Sequence, residues 1–195
     1  MRIARVDMDG RPRLGVVAGR DVLLLDAGRS GAAGDDVAGL AGRPDVSDAL
    51  ARIARGDAPP DQRIPLEAAR ILAPVARPGK VVAIGLNYVD HAREADQAPP
   101  STPLVFAKFP SAIIGPDEPI RFDRGVTGAV DFEAELAVII GRRARGVDAA
   151  TALDYVLGYT CCNDVLLPAE LNGDDPAGLG GDVTAALHGD AAAPC

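Results

Sequence analysis

The 195-residue sequence is poor in aromatic side chains, at 4%, and contains no tryptophan. Any core must therefore rest on aliphatic residues, and the 48% hydrophobic content is enough to supply one. Cysteine is scarce as well. Of the three, Cys161 and Cys162 are adjacent and Cys195 is the last residue, which excludes a disulfide framework and points to a reducing cytoplasm. No apolar run approaches the roughly 18 residues that a membrane span needs. The opening segment, Met1 to Asp7, lacks the apolar centre of a secretory signal.

Surplus positive charge is also missing. Residues 1–145 carry 20 Lys+Arg and 20 Asp+Glu, while residues 146–195 carry none and eight, so the whole net charge of −8 lies in the last fifty residues. A balanced body with eighteen arginines, two lysines and no basic stripe argues against nucleic acid as a partner. The acidic end is not a continuous run of like charge and does not read as an interaction tail.

What is present divides into a small domain and part of a larger one, an α+β chain that is mainly β. Apolar stretches Ile3–Met8, Leu14–Ala18 and Val22–Leu25 alternate with turn chemistry at Asp9-Gly10 and Gly19-Arg20-Asp21, which predicts an antiparallel meander. Residues 27–44 read as loop with one helical turn. Ser47 is expected to cap a short helix through Arg55 that buries Val46, Leu50, Ile53 and Ala54 and stops at Gly56. Asp57 to Pro65, with Pro59-Pro60, reads as a linker, so a boundary falls between about residues 58 and 78. On this reading 1–65 is a cap-like domain with no catalytic constellation.

Beyond Lys80 the residues begin to carry chemistry. Val81–Gly85 predicts a buried strand running into a helical turn that holds His91 and Glu94, three apart on one face. A carboxylate beside an imidazole fixes its tautomer, as a general base requires, although an ordinary surface pair has the same spacing. Lys108 ends the apolar strand around Leu104–Ala107, and a lysine buried there needs an anionic partner. Ile113-Ile114 predicts a further strand into the Gly115-Pro116 turn. Val130–Ile140 is the run on which the rest converges. Strand alternation puts Glu133 and Glu135 on one side and Phe132, Ala134 and Leu136 on the other. Two carboxylates at the head of a buried strand call for a hard divalent cation, whereas on an exposed edge water would suffice. Asp154–Cys162 predicts another strand, ended by Asn163 and by Asp164, a candidate third acid.

Taken together these motifs are similar to the fumarylacetoacetate hydrolase family. The resemblance runs from Leu72-Ala73-Pro74-Val75 and Arg77-Pro78-Gly79-Lys80 through Gly85-Leu86-Asn87-Tyr88 with His91 and Glu94. It continues through Phe106-Ala107-Lys108, Asp131 to Leu136, and Asp154 to Thr160 with Asn163-Asp164. It spans about residues 64–165, and the first sixty residues resemble, more loosely, the small N-terminal domain of many members. It implies a mixed β-sandwich roll, usually a homodimer, with Mg²⁺ or Mn²⁺ at its mouth. Glu133, Glu135 and Asp164 would be the metal ligands, His91 and Glu94 a water-activating dyad, and Lys108 a substrate contact. The implied substrates are small 2-oxo acids and acylpyruvates, and the implied reactions are C–C hydrolysis, tautomerisation, decarboxylation and C–N cleavage.

The pattern changes after Val165. Where the family continues Ser-Ala-Arg-Asp-x-Gln, this chain reads Leu166 to Leu171, with Pro168 and Leu171 in place of the substrate-gripping Arg and Gln. Residues 166–195 contain seven Ala, five Gly and no Lys, Arg or aromatic residue, and His188 among them has no partner motif. These features predict half a roll, residues 66–165, followed by an aberrant, disordered tail from a shifted reading frame, with the homodimer weakened accordingly. Translating the other two frames past codon 165 tests this; the expected outcome is Ser-Ala-Arg-Asp and an onward domain in one of them. An enzyme of 2-oxo acids and an inactive, metal-binding remnant both follow from this sequence.

Overall fold

The computed structural model describes residues 1–30, 36–94, 96–123 and 130–165 and the backbone at 185–186, without the side chains at 29, 30 and 94. The first sheet is the meander, extended. Strands β1 (Ile3–Met8), β2 (Arg11–Ala18), β3 (Asp21–Leu24), β4 (Gln62–Pro65) and β5 (Ile71–Leu72) lie antiparallel in the order β4-β3-β2-β1-β5. Asp9 and Gly10 both take positive φ, at 55° and 80°, between the paired Met8 and Arg11. Two left-handed residues in a two-residue loop match the right-handed twist of the strands they join.

Both faces of this sheet are covered. One carries Val6, Val17, Val22 and Leu24, packed with Ile64, Leu66 and Ile71. The other carries Leu14, Val16, Leu23 and Leu25 against a helix. After the single turn α1 (Ala27–Ser30), that helix is α2 (Pro44–Arg55). It begins before the expected Ser47 cap, because Pro44 has a backbone angle suited to the first helical position and no N–H to leave unpaired. Gly56 ends it in a left-handed conformation, φ 80°. The buried face is Val46, Ala49, Leu50 and Ile53; the 3.6-residue period brings in Ala49 where Ala54 was expected.

The linker expectation also needs correction. Residues 62–65 form strand β4, tolerated with its proline because β4 is an edge strand. With β5 pairing to β1, the first sheet carries the chain through Leu72, past the division expected at residue 65.

The rest is mainly β, in two open sheets, as expected of a partial roll. Strands β6 (Val81–Gly85) and β7 (Leu104–Lys108) pair antiparallel, joined through α3 (Val89–Glu94). Strands β8 (Ala134–Ile140) and β9 (Val156–Asp164) pair likewise, with a register irregularity at Ile139/Ile140, and β10 (Ala185–Ala186) adds to β9. Residues 149–155 form a 3-10 turn, so the strand expected from Asp154 starts at Val156. At Ile113-Ile114 only an isolated bridge forms.

β6 and β8 are not buried as expected. Their residues alternate between half-buried and exposed, leaving Val82, Leu136, Val138 and Ile140 open. A sheet packed on one face buries only every second side chain. The packed face of β8–β9 sends Ile139 and Leu157 onto the helix-side core of the first sheet, and Arg70 joins Asp7 and Glu118 across the junction. Pro168, Leu171 and His188 lie outside the described residues, as does the tail they belong to apart from Ala185–Ala186.

Two substitutions check this asymmetry. Leu50→Ala, at a fully buried site, should cost roughly 2–5 kcal/mol in urea unfolding, while Val138→Thr should stay within about 0.5 kcal/mol.

Candidate metal centre

The pairing of β8 with β9 builds the centre. Asp164, the last residue of β9, donates its backbone N–H to the Glu133 carbonyl at 2.8 Å. The Glu133 N–H in turn donates to Asn163 Oδ1 at 3.2 Å. These bonds fix Glu133, one residue before the strand proper, beside Asp164. Alternation along β8 then returns Glu135 to the same half-buried face. As a result Glu133, Glu135 and Asp164 each offer a carboxylate oxygen, all within 4.8 Å of one another.

Two further groups close on this cluster. His91, on α3, places Nδ1 3.2 Å from Glu133 Oε1. Lys108, at the end of β7, puts Nζ against Asp164 Oδ1, with the two side chains only 3% and 6% exposed. Lys108 is the single buried residue of its strand, and its ammonium lies 5.9 Å from the centre of the Phe106 ring. The sequence anticipated an anionic partner for this lysine; the structure provides Asp164. The side chain of Glu94 is outside the described residues; among the described residues, the carboxylate paired with His91 is Glu133.

The loop after β6 forms the other wall. Leu86 holds φ at 51°, a left-handed conformation costing a branched-chain residue on the order of 1 kcal/mol or more. This turn brings Tyr88 over the end of β8, where its hydroxyl accepts the Leu136 N–H at 3.1 Å. Between loop and strand lies a cavity of about 400 Å³. His91, Glu133, Glu135 and Asp164 line its polar side, and Ile84, Tyr88, Phe106 and Phe132 its apolar side. Lys108 does not line it. Sequence reasoning assigned no role to Tyr88 or Asn163, although both stand inside the motifs that carry the family resemblance. Their effect is a cross-element hydrogen bond, which sequence spacing does not encode.

Burial is the main cause that raises the Glu133 carboxyl above its ordinary range; Asp164 and Asp131 add to this, while His91 and Lys108 oppose it. Glu135 is raised by burial, then by Asp164 and Glu133. Burial, with Asp164 and Glu135, pushes the Cys162 thiol up to about 11, so it stays protonated and is a poor ligand beside the carboxylates. The donor set is three hard oxygens, which suits a divalent ion such as Mg²⁺ or Mn²⁺.

Fold and site together define a mainly β protein with a three-carboxylate centre, and sequence comparison places it. The family described as "Fumarylacetoacetate (FAA) hydrolase C-terminal" matches residues 80–175, and one described as "Rv2993c-like, N-terminal" matches residues 1–74. The chain belongs to the fumarylacetoacetate hydrolase family. The match extends ten residues past Val165, where the motif-by-motif resemblance ended.

Among its relatives, the fumarylacetoacetate hydrolase domain-containing protein 2 homolog of Dictyostelium discoideum is 48% identical over 109 residues, 54% of this chain and 34% of that protein. The mitochondrial oxaloacetate tautomerase fahd2 of Xenopus laevis is 44% identical over 95 residues, 49% of this chain and 30% of that protein. The solved maleylpyruvate hydrolase of Sphingobium sp. SYK-6, in complex with manganese(II) and pyruvate, superimposes with a TM-score of 0.70 at 27% identity. That superposition covers 96% of this chain and 65% of that one. The chain thus spans about a third of the length of these curated relatives. No helix among the described residues is long and apolar enough to cross a membrane.

The raised carboxyls have a consequence for stability without metal. A carboxyl whose folded pKa lies above its unfolded value holds more protons in the folded state, so stability falls as pH rises from the unfolded value through the folded one. Metal-free protein should therefore gain stability as pH is lowered from 7 toward the carboxylate range. In urea titrations the Glu133→Gln/Glu135→Gln variant should lose that gain and be the more stable protein at pH 7.

Proposed function

We propose that this chain carries the metal centre of a divalent-metal-dependent enzyme acting on small 2-oxo acids or acylpyruvates. C–C bond hydrolysis is its reaction, with tautomerisation or decarboxylation as related outcomes. The observation that supports it most is the convergence of Glu133, Glu135 and Asp164 within 4.8 Å, with His91 on the first of them. These three carboxylates would hold Mg²⁺ or Mn²⁺, and their all-oxygen donor set fits either ion. When bound, the ion would supply Lewis-acid stabilisation to the carboxylate and keto oxygens of a 2-oxo acid as an enolate develops, a contribution of several kcal/mol.

The chain's own residues do the rest. With Nδ1 directed at Glu133, His91 keeps Nε2 as the basic nitrogen that takes a proton from water, a contribution of roughly 10²–10⁴-fold in rate. The resemblance gives the orienting role to Glu94, three residues on; with Nδ1 directed at Glu133, it is Glu133 that holds the ring, from the metal side. The water so activated attacks the carbonyl distal to the 2-oxo acid group, and the cleaved bond leaves its electron pair on the enolate carbon. Without water attack, moving a proton between carbon and oxygen gives tautomerisation instead. Ile84, Phe106 and Phe132 give the cavity an apolar wall against which the less polar part of a substrate would rest. A substrate contact by Lys108 is also implied by the resemblance, although its ammonium lies against Asp164 and outside the cavity lining.

The reading includes a cytoplasmic location, which the free thiols Cys161 and Cys162 support, and a homodimer, carried over from the resemblance. A second reading, a non-catalytic metal-binding protein, is favoured by Pro168 and Leu171, which stand where the resemblance places the substrate-gripping Arg and Gln.

A substrate panel separates the two. Purified full chain with Mg²⁺ or Mn²⁺ should turn over an acylpyruvate or oxaloacetate, and Glu133→Ala should reduce the rate at least about 10²-fold. Tight Mn²⁺ binding with no turnover of any panel member would establish the non-catalytic reading instead.

A further inference from the structure

We propose that Lys108 is the resident counter-charge of this centre. It holds Asp164 in place when no divalent ion is bound, and its charge opposes the ion when one enters. The inference rests on the reading of Glu133, Glu135 and Asp164 as ion ligands.

Three observations carry it. Lys108 and Asp164 are the two buried charged residues among the described residues, and each has the other in contact. They come from different sheets, Lys108 from the end of β7 and Asp164 from the end of β9, so their contact ties the β6–β7 hairpin to the β8–β9 pair. Lys108 also stands outside the cavity lining, which Asp164 joins. The lysine therefore meets its carboxylate from the protein side while the cavity side is left for an ion. Three converging carboxylates without a cation would repel one another, and a fixed ammonium in contact with the most buried of them relieves that repulsion. The same ammonium lies beside the position a divalent ion would take, so the charge that keeps the empty site assembled must weaken ion affinity. Lys108 is on this account a positioning residue, acting through Asp164.

Mn²⁺ titration of the full chain without substrate, paired with thermal melts, tests it. Lys108→Met should melt lower than the parent in the absence of metal, bind Mn²⁺ roughly tenfold or more tightly, and regain most of the lost melting temperature at saturating Mn²⁺. Lys108→Arg keeps the charge and should bind Mn²⁺ within about threefold of the parent. A merely structural lysine would give the opposite sign, with stability and affinity falling together. Unchanged or weaker binding in Lys108→Met, or equal tightening in Lys108→Arg, overturns the proposal. Should Lys108→Met not fold without metal, Lys108→Gln is measured beside it, and failure of Mn²⁺ to recover either variant also overturns it. If the parent binds no Mn²⁺, the reading of the centre itself fails; if it binds and the neutral variants do not tighten, only the role of Lys108 fails.

Discussion

Repulsion among three carboxylates is the constraint around which the second part of this chain is arranged. Glu133, Glu135 and Asp164 are held together by two adjacent strands, through the Asp164 N–H on the Glu133 carbonyl and the Glu133 N–H on the Asn163 side-chain oxygen. Such bonds are individually modest, about 1 kcal/mol net. Their geometry nonetheless leaves the acids nowhere else to point. Relief has to come from outside the ladder, and it arrives from the β6–β7 unit: Lys108 on Asp164 and His91 on Glu133. The link between hairpin and strand pair is thus electrostatic as much as apolar.

The two parts of the chain are stabilised differently. The first sheet is covered on both faces by aliphatic side chains, with Leu14, Leu24 and Leu50 fully buried, and has no functional cluster among its described residues. The second keeps one face of β8–β9 half-buried and the other open. Ile139 and Leu157, resting on the helix-side core, anchor that strand pair to the well-packed sheet. The ends of the strands that carry the acids lie away from this anchor, as entry of the proposed ion and small acid would require.

Strain and hydrogen bonding add a second layer of definition. Leu86 in the left-handed region is the kind of local cost that persists only where surrounding contacts hold it. Here the reward is the placement of Tyr88 on the Leu136 N–H, which closes one wall of the cavity. An otherwise apolar wall facing three acids and an imidazole matches a ligand with one chelating end and one less polar end.

Much of this was legible in the sequence because it depends on local chemistry. The Asp9-Gly10 turn, the glycine stop after Arg55, and the shared face of Glu133 and Glu135 follow from backbone preference and from the two-residue alternation of a strand. Family motifs in order identified the protein class for the same reason: each is a short stretch whose residues are fixed by what they must touch. Burial was less legible. The apolar runs Val81–Gly85 and Ala134–Ile140 look like interior strands, yet alternate residues stand open, because how many faces of a sheet are covered depends on what packs there. Partner choice was beyond local reading too. That His91 sits on Glu133, that Lys108 sits on Asp164, and that Tyr88 reaches Leu136 are facts of how two sheets dock. Residue spacing fixes neighbours along one element, and only the tertiary structure decides which elements meet.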